Sequence, residues 1–368
     1  MKRTLLIIAT AALLAACRSS ELRLVVGTYT DSGSYGIYSL AFDTESGEAR
    51  MLDSCRAINS SYVAPSRNGK FVYAVSELDG SNAAVYTLRF DKHSGAFTPV
   101  NTTLAGGTNP CYISTNGKIV VSADYGGTLS VYPIASDGGL KPLKSVFHGG
   151  LGGPDMSRQE VPHIHCAEFS PDGKRLFVSD FSADRILCFD VVRGGRRVQP
   201  ATAADGQQLF VSVAPDYGPR HICFDSKGKH AYLIGELSGT ITMFDVADDN
   251  TLTIRQVVDA DPYDGRGSAD IHISPDGRYL YASNRLRGDG IAIFSIDPRS
   301  GELTEAGYQL TGRHPRHFNI TPDGRWLLCA CRDDNAIEIY ARDRKSGLLT
   351  PTGNTIPLLK PVCVQFVQ

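Results

Sequence analysis

A chain of 368 residues with 37 basic and 39 acidic side chains, for a formal net charge of -2, has no electrostatic footprint for nucleic acid. An apolar content of 42% suffices for a packed core, and 37 glycines without sustained helical periodicity past the N-terminus favour many strands and turns.

The N-terminus reads as a processing signal. Lys2-Arg3 precede an apolar run from Leu5 to Leu14, which ends in Leu14-Ala15-Ala16-Cys17. A basic start, a short apolar stretch and small residues before the cut describe a secretion signal, too short and wrongly flanked for a membrane span. The last four residues match a bacterial lipobox. That pattern predicts removal of residues 1–16, acylation of Cys17, a short tether over 17–21, and a protein exported and lipid-anchored at the cell envelope. The other eight cysteines are scattered through strand-like runs without the dense spacing of a disulfide-stapled domain, so free, buried thiols are expected. Cys329 and Cys331 share a strand face, but no second pair completes a zinc site.

From residue 22 onward one motif recurs: two short apolar runs around a turn of the Ser-Pro-Asp-Gly type, the signature of a tight hairpin. Its copies are Ser66 to Glu77, Ser114 to Tyr125, Ser170 to Phe181, Asp225 to Glu236, Ser274 to Arg285 and Thr321 to Arg332. The turn glycines Gly69, Gly117, Gly173, Gly228, Gly277 and Gly324 are therefore 48, 56, 55, 49 and 47 residues apart, the period of a propeller blade. A third strand follows each hairpin (NAAVYTLRF, GTLSVYPI, DRILCFDV, GTITMFDV, DGIAIFSI, NAIEIYAR), and YGIYSLAF at residues 35–42 is a seventh copy. Several are followed by a Ser-Gly turn and a fourth strand. The expectation is an all-β, seven-bladed β-propeller with four antiparallel strands per blade, one domain over 22–368, its ring closed by the terminal runs Leu22 to Val26 and Val362 to Val367. Val146 to Val161 and Gly194 to Val211 read as loops.

The repeat is also a ruler. Inner strands begin about eight residues before the turn glycine and second strands end about eight after it, and a hairpin brings these two points to one rim. Minus eight gives Ser61, Asn109, His165, Arg220, Ala269 and Arg316; plus eight gives Glu77, Tyr125, Phe181, Glu236, Arg285 and Arg332. With His163, His221, Asp270 and His317 alongside, this rim varies from blade to blade in its charged groups, whereas the opposite face repeats solvated Pro-Asp-Gly-Lys/Arg turns. The varied rim is the expected ligand mouth. His163-x-His165 supplies only half of a metal set, and neither metal nor cofactor is expected. Arg316 and Arg332, facing each other across one hairpin, require an anion or nearby carboxylates.

At GPRHICF (218–224), ADIHISPDGRYLYASNR (269–285), HPRHFNITPDG (314–324) and RQEVPHIHCAEFSPDG (158–173) the chain resembles the lactonase propeller family, which includes bacterial 6-phosphogluconolactonases and is similar to fungal carboxymuconate cyclases. The resemblance runs from Leu22 to Val367. It implies a lactone hydrolase whose site is a histidine, two arginines and a glutamate, falling on His165, Arg220, Glu236 and Arg285; His163, His221, Asp270, Arg316 and His317, which share the rim, are the expected substrate contacts. It implies a lactone or sugar-acid ligand, with an anionic group for the arginines. His165 or Glu236 is then the base, and the arginines hold the oxyanion or an anionic substituent. No Gly-x-Ser-x-Gly elbow occurs for a serine nucleophile. A carboxylated-lactone cyclase or isomerase, or a non-catalytic binding propeller, are the alternative readings.

Overall fold

The computed structural model describes residues 21–367; the predicted signal segment and Cys17 lie outside the described residues. Seven antiparallel sheets are strung along the chain, six of four strands and one of five. Blade 1 takes its inner strand, Pro361–Val367, from the C-terminus and its outer three, Glu21–Thr28, Gly36–Asp43 and Ala49–Arg56, from the N-terminus. The other inner strands are Val63–Pro65, Pro110–Thr115, Ile164–Phe169, Pro219–Phe224, Ile271–Ile273 and Pro315–Ile320, for blades 2 to 7. Inner strands neighbour one another around the ring, the inner strand of blade 7 meeting blade 6 at its second strand Tyr279–Asn284 and packing on Pro361–Val367, so the ring closes as expected.

The turns explain why the repeat is so regular. In blade 6, Gly277 N–H donates to Ser274 O (2.8 Å), Ser274 Oγ donates to Asp276 Oδ1 (2.6 Å), and Tyr279 N–H returns to Ser274 Oγ (3.0 Å). Gly277 sits at φ 70°, where a side chain is disfavoured. Ser170 with Asp172 and Thr321 with Asp323 repeat the device. Second strands such as Tyr279–Asn284 are buried along their whole length because both faces pack on neighbouring blades, and the apolar clusters run from blade to blade around the ring.

Three local expectations change; of the segment read as a loop at 146–161, residues 146–148 belong to the strand Ser145–His148, which pairs with the third strand of blade 3. Gly194 to Val211 is not simply a loop: Arg197–Pro200 and Phe210–Ser212 both pair with the third strand of blade 4. In blade 3 the turn is two residues tighter, since Thr115 pairs with Val120 where blade 4 pairs Phe169 with Leu176. Counting back from Gly117 therefore overshoots, and Cys111, not Asn109, occupies the place of His165, Arg220 and Arg316. The eight cysteines of the described residues are all free, six of them buried.

Candidate active site

The mouth-end of the inner strands is irregular in the same way in four blades. Pairing skips a residue between Pro110 and Tyr112, between Ile164 and Cys166, between Pro219 and Ile222, and between Pro315 and His317. A bulge places two residues opposite one and re-aims side chains that regular alternation would send to opposite faces. Arg220 and His221 are consecutive, yet both are buried, at 1% and 5% exposure. Proline at the start of three of these strands fits, because its missing N–H leaves nothing unpaired there.

At the centre of the mouth is Glu236. Its Oε2 accepts from Arg220 Nε (2.8 Å) and lies 3.3 Å from Arg285 Nη2, while Oε1 accepts from Arg158 Nη2 (2.6 Å). Burial alone raises a carboxyl pKa, but Arg285, Arg220 and Arg158 outweigh it and hold Glu236 at about 2. Glu236 is thus ionised and fully engaged. Arg220 also donates through Nη1 to Ala269 O (2.5 Å), and Arg285 through Nε to Gly267 O (2.7 Å), so both guanidiniums grip the chain leading into blade 6.

His165 stands beside this group, edge-on to His221 with ring centroids 5.3 Å apart. Its Nδ1 is buried without a hydrogen-bond partner among the described residues. Burial, then Arg220, His221 and Arg316, push its pKa well below 6.5, so the imidazole is neutral. His163 stacks on Tyr125 at 3.9 Å and its Nδ1 bonds Tyr125 O, at the edge of the mouth. Across the mouth, Arg316 lies 3.7 Å from Glu77 Oε2 and over the Tyr29 ring at 5.4 Å, but forms no hydrogen bond among the described residues. Arg332 turns away to Asp333, with Nε–Oδ1 2.9 Å. Carboxylates accordingly serve each of the two facing arginines.

Asp270, His221 and His317 sit deeper and face one another. Asp270 Oδ1 accepts from His221 Nδ1 (2.8 Å); Oδ2 accepts from His272 Nε2 (2.9 Å) and Phe318 N–H (3.1 Å), with His317 Nε2 at 3.5 Å. Burial works against the Asp270 charge, but His272, His317 and His221 hold its pKa well below 3.8. Ligand atoms of Asp270, His272 and His317 fall within 4.8 Å of one another, a spacing that invites a metal. The tautomers argue otherwise: His317 Nδ1 accepts Val364 N–H (3.3 Å), so in the neutral ring the proton is on Nε2, facing Asp270. Burial drops His317 to about 3 and His221 to about 4, keeping both neutral, whereas the Asp270 charge overcomes burial and raises His272.

Arg158, Tyr29 and His272 escaped the repeat ruler. Arg158 rides on the loop read at 146–161, which is pinned over the mouth by Gln159 Nε2 donating to Phe181 O (3.0 Å) and Asp184 Oδ1 (2.9 Å). Its position in RQEVPHIH, just ahead of the two histidines, was the available signal. A cleft of about 1470 Å³ opens instead on the turn face between blades 5 and 6, lined by Lys227, Lys229, Asp276, Arg278 and Asp297. Two of its cations are answered by neighbours, Lys229 by Asp248 (2.7 Å) and Arg278 by Arg344 O (3.1 Å). Beneath the mouth a void of about 10 Å³, close to one water, touches Ser61, Arg220, His221, Arg316 and His317. The mouth has the perturbed, convergent groups, and we place the site there.

A family model described as lactonase, 7-bladed beta-propeller, matches residues 23–366. A 6-phosphogluconolactonase of Formosa agariphila is 35% identical over 338 residues, covering 89% of this chain and 94% of its own. That of Bacillus subtilis is 34% identical over 356 residues, covering 93% and 97%. Among solved structures, a candidate 6-phosphogluconolactonase from Bacteroides fragilis is similar with a TM-score of 0.92 at 46% identity, covering 96% of this chain and 99% of its own. The periplasmic gluconolactonase of Pseudomonas aeruginosa is similar with a TM-score of 0.88 at 30% identity, covering 95% and 99%.

Proposed function

This chain belongs to the lactonase family of seven-bladed β-propellers and is a lactonase-type hydrolase, and we propose that it opens an anionic sugar lactone with water at the channel mouth. The observation that carries the site assignment is the contrast between Glu236 and His165. Glu236 has both carboxylate oxygens taken up by three guanidiniums and serves to array Arg158, Arg220 and Arg285. His165 is neutral and, among the described residues, uncommitted at Nδ1, and it is the group that accepts the proton, a contribution of ~10²–10⁴ in rate.

In this reading water adds to the lactone carbonyl as His165 takes its proton. Arg220 and Arg285 stabilise the oxyanion, and their charge in a water-poor mouth counts for more than in solvent. Collapse breaks the bond to the ring oxygen, which recovers the proton from His165. Four guanidiniums, Arg158, Arg220, Arg285 and Arg316, face two carboxylates, Glu236 and Glu77, so a substrate carrying a phosphate or carboxylate balances the charge. Arg316 is the natural contact, with its donors unspent. Asp270, His221 and His317 support Arg220 from below.

Export and anchoring at Cys17 complete the proposal. Among the described residues, Glu21 lies at the turn end of its strand and Tyr29 at the mouth. No helix among the described residues is long and apolar enough to cross a membrane. The test is turnover of D-glucono-1,5-lactone and its 6-phosphate above spontaneous opening. No turnover on either, or unchanged turnover in both Arg285→Ala and His165→Ala, overturns the reading.

A further inference from the structure

The two guanidiniums that share Glu236 are held by matching sets of partners. Arg220 has Glu236, the carbonyl of Ala269, and the imidazole Nε2 of His221 at 3.3 Å from Nη1. His221 in turn gives its Nδ1 proton to Asp270. Arg285 has Glu236, the carbonyl of Gly267, and the Nε2 of His314 at 3.3 Å from Nη1. Behind His314, Nδ1 faces Asp333 Oδ2 at 3.6 Å, a carboxylate that also gathers Arg332 and Lys360. An imidazole can face a guanidinium N–H favourably only as a neutral acceptor, and an Asp behind the far nitrogen selects that tautomer.

The backbone of His314 sharpens the point. It sits at φ 61° immediately before Pro315, with its N–H donated to Asp289 Oδ2 (2.7 Å) and its carbonyl accepting Arg332 N–H (3.1 Å). The same left-handed residue before a proline recurs at inner-strand starts as Asn109 (φ 52°), Gly218 (φ 61°) and Lys360 (φ 46°). The fold thus asks for positive φ there, which Gly meets without strain and Asn at little cost. His314 takes up the conformation that the position requires, as Lys360 does in blade 1, and its two backbone hydrogen bonds fix where the ring leaves the chain.

We infer that His314 is a positioning residue, the neutral acceptor that fixes Arg285 as His221 fixes Arg220. The inference rests on the reading of Arg285 as a substrate-contacting group. Burial, with Arg285, Arg332 and Arg316 around it, lowers the His314 pKa to about 2 against the opposing pull of Asp333, so the ring stays an acceptor throughout the working range. The pair of imidazoles spends Nη1 of both arginines on the protein and leaves Nη2 of Arg220 without a hydrogen bond among the described residues. A guanidinium so held presents its remaining donors in one orientation, which a transition state rewards more than a ground state does.

The test is a double-mutant cycle on the full-length protein with D-glucono-1,5-lactone and its 6-phosphate, spontaneous opening subtracted. His314→Asn suits the left-handed backbone but is too short to reach Arg285; His314→Gln reaches and can accept. The expected result is a kcat about 10- to 100-fold lower in His314→Asn, with KM changed less than about threefold, and recovery to within about fivefold of wild type in His314→Gln. On an Arg285→Ala background, His314→Asn should have no further effect. Wild-type kcat in a folded His314→Asn protein, or losses that multiply with Arg285→Ala, overturn the inference. Asp333→Asn, which leaves residue 314 in place, gives a second route, with a loss of about three- to tenfold expected and none overturning. If instead Arg285→Ala itself turns over normally, it is the site reading that fails.

Discussion

Replacing Glu236 by Gln keeps the shape of the side chain and removes the charge that three guanidiniums share. The size of the effect follows by two routes. Glu236 falls from an ordinary carboxyl value of 4.5 to about 2 in the folded protein, which at about 1.4 kcal/mol per pH unit is worth roughly 3 kcal/mol. Removing one partner of a buried ion pair costs about 3–5 kcal/mol in general, because the other charge is stranded. The two agree. With unfolding entropy of about 2.1 cal/mol/K per residue, a chain of this length should lose roughly 4–7 °C in Tm. The pH signature is more specific. A depressed carboxyl stabilises fully above its unfolded pKa and loses that contribution as pH falls through the folded one. Wild type should therefore lose about 3 kcal/mol relative to Glu236→Gln between pH 5 and pH 2, with the curves converging at the acid end. Denaturant unfolding of both proteins across that range is the assay. Parallel stability curves, or a variant as stable as wild type at pH 7, would refute the claim that Glu236 is the ionised anchor of the mouth.

Other consequences of the geometry are separable from that one. His165→Ala and Arg285→Ala should each lower kcat/KM by about 10²–10³, with Tm changed far less by His165→Ala, since His165 makes no ion pair; steady-state kinetics and thermal melts check this. Arg316→Gln should raise KM for a phosphorylated lactone about tenfold while leaving the unphosphorylated one within about twofold, and equal effects on both would remove Arg316 from the anion contact. Gly265→Ala should cost about 1–3 kcal/mol and displace Arg285, because an added Cβ would lie 2.5 Å from the Arg285 carbonyl oxygen; an unchanged kcat and melt would contradict that crowding. Cys17→Ser should release the protein from the membrane fraction and abolish lipid labelling, and retention of both would end the anchor proposal.

The blades were legible because their turns are local chemistry. Ser274, Asp276 and Gly277 satisfy one another within four residues, so the motif must recur wherever the turn does, and seven third strands then number the ring. The rim was legible for the same reason, since Glu236 and Arg285 end second strands at a fixed distance from the turn glycine. The count failed only where blade 3 tightened its turn and moved Cys111 into the place assigned to Asn109. Contacts between blades lay beyond the ruler. Arg158 arrives on a loop that obeys no repeat, Asp270 collects His221, His272 and His317 from three different blades, and Asp333 reaches Arg285 through a histidine in the preceding loop.

The bulges connect these facts. Regular pairing at the mouth would send Arg220 toward the channel and His221 into the packing between blades, where a polar ring has no partner. Slipping one residue turns both inward, so a single strand end supplies a guanidinium to Glu236 and the imidazole that steadies it. Blade 7 repeats the slip with Arg316 and His317, one spent on the mouth and one on Asp270. The bulged strands of blades 5 and 7 thus each deliver one group to the mouth and one to its support. The two are adjacent in sequence, so insertion or deletion of one residue between Pro219 and Ile222 should abolish turnover while the ring, held by packing elsewhere, still forms.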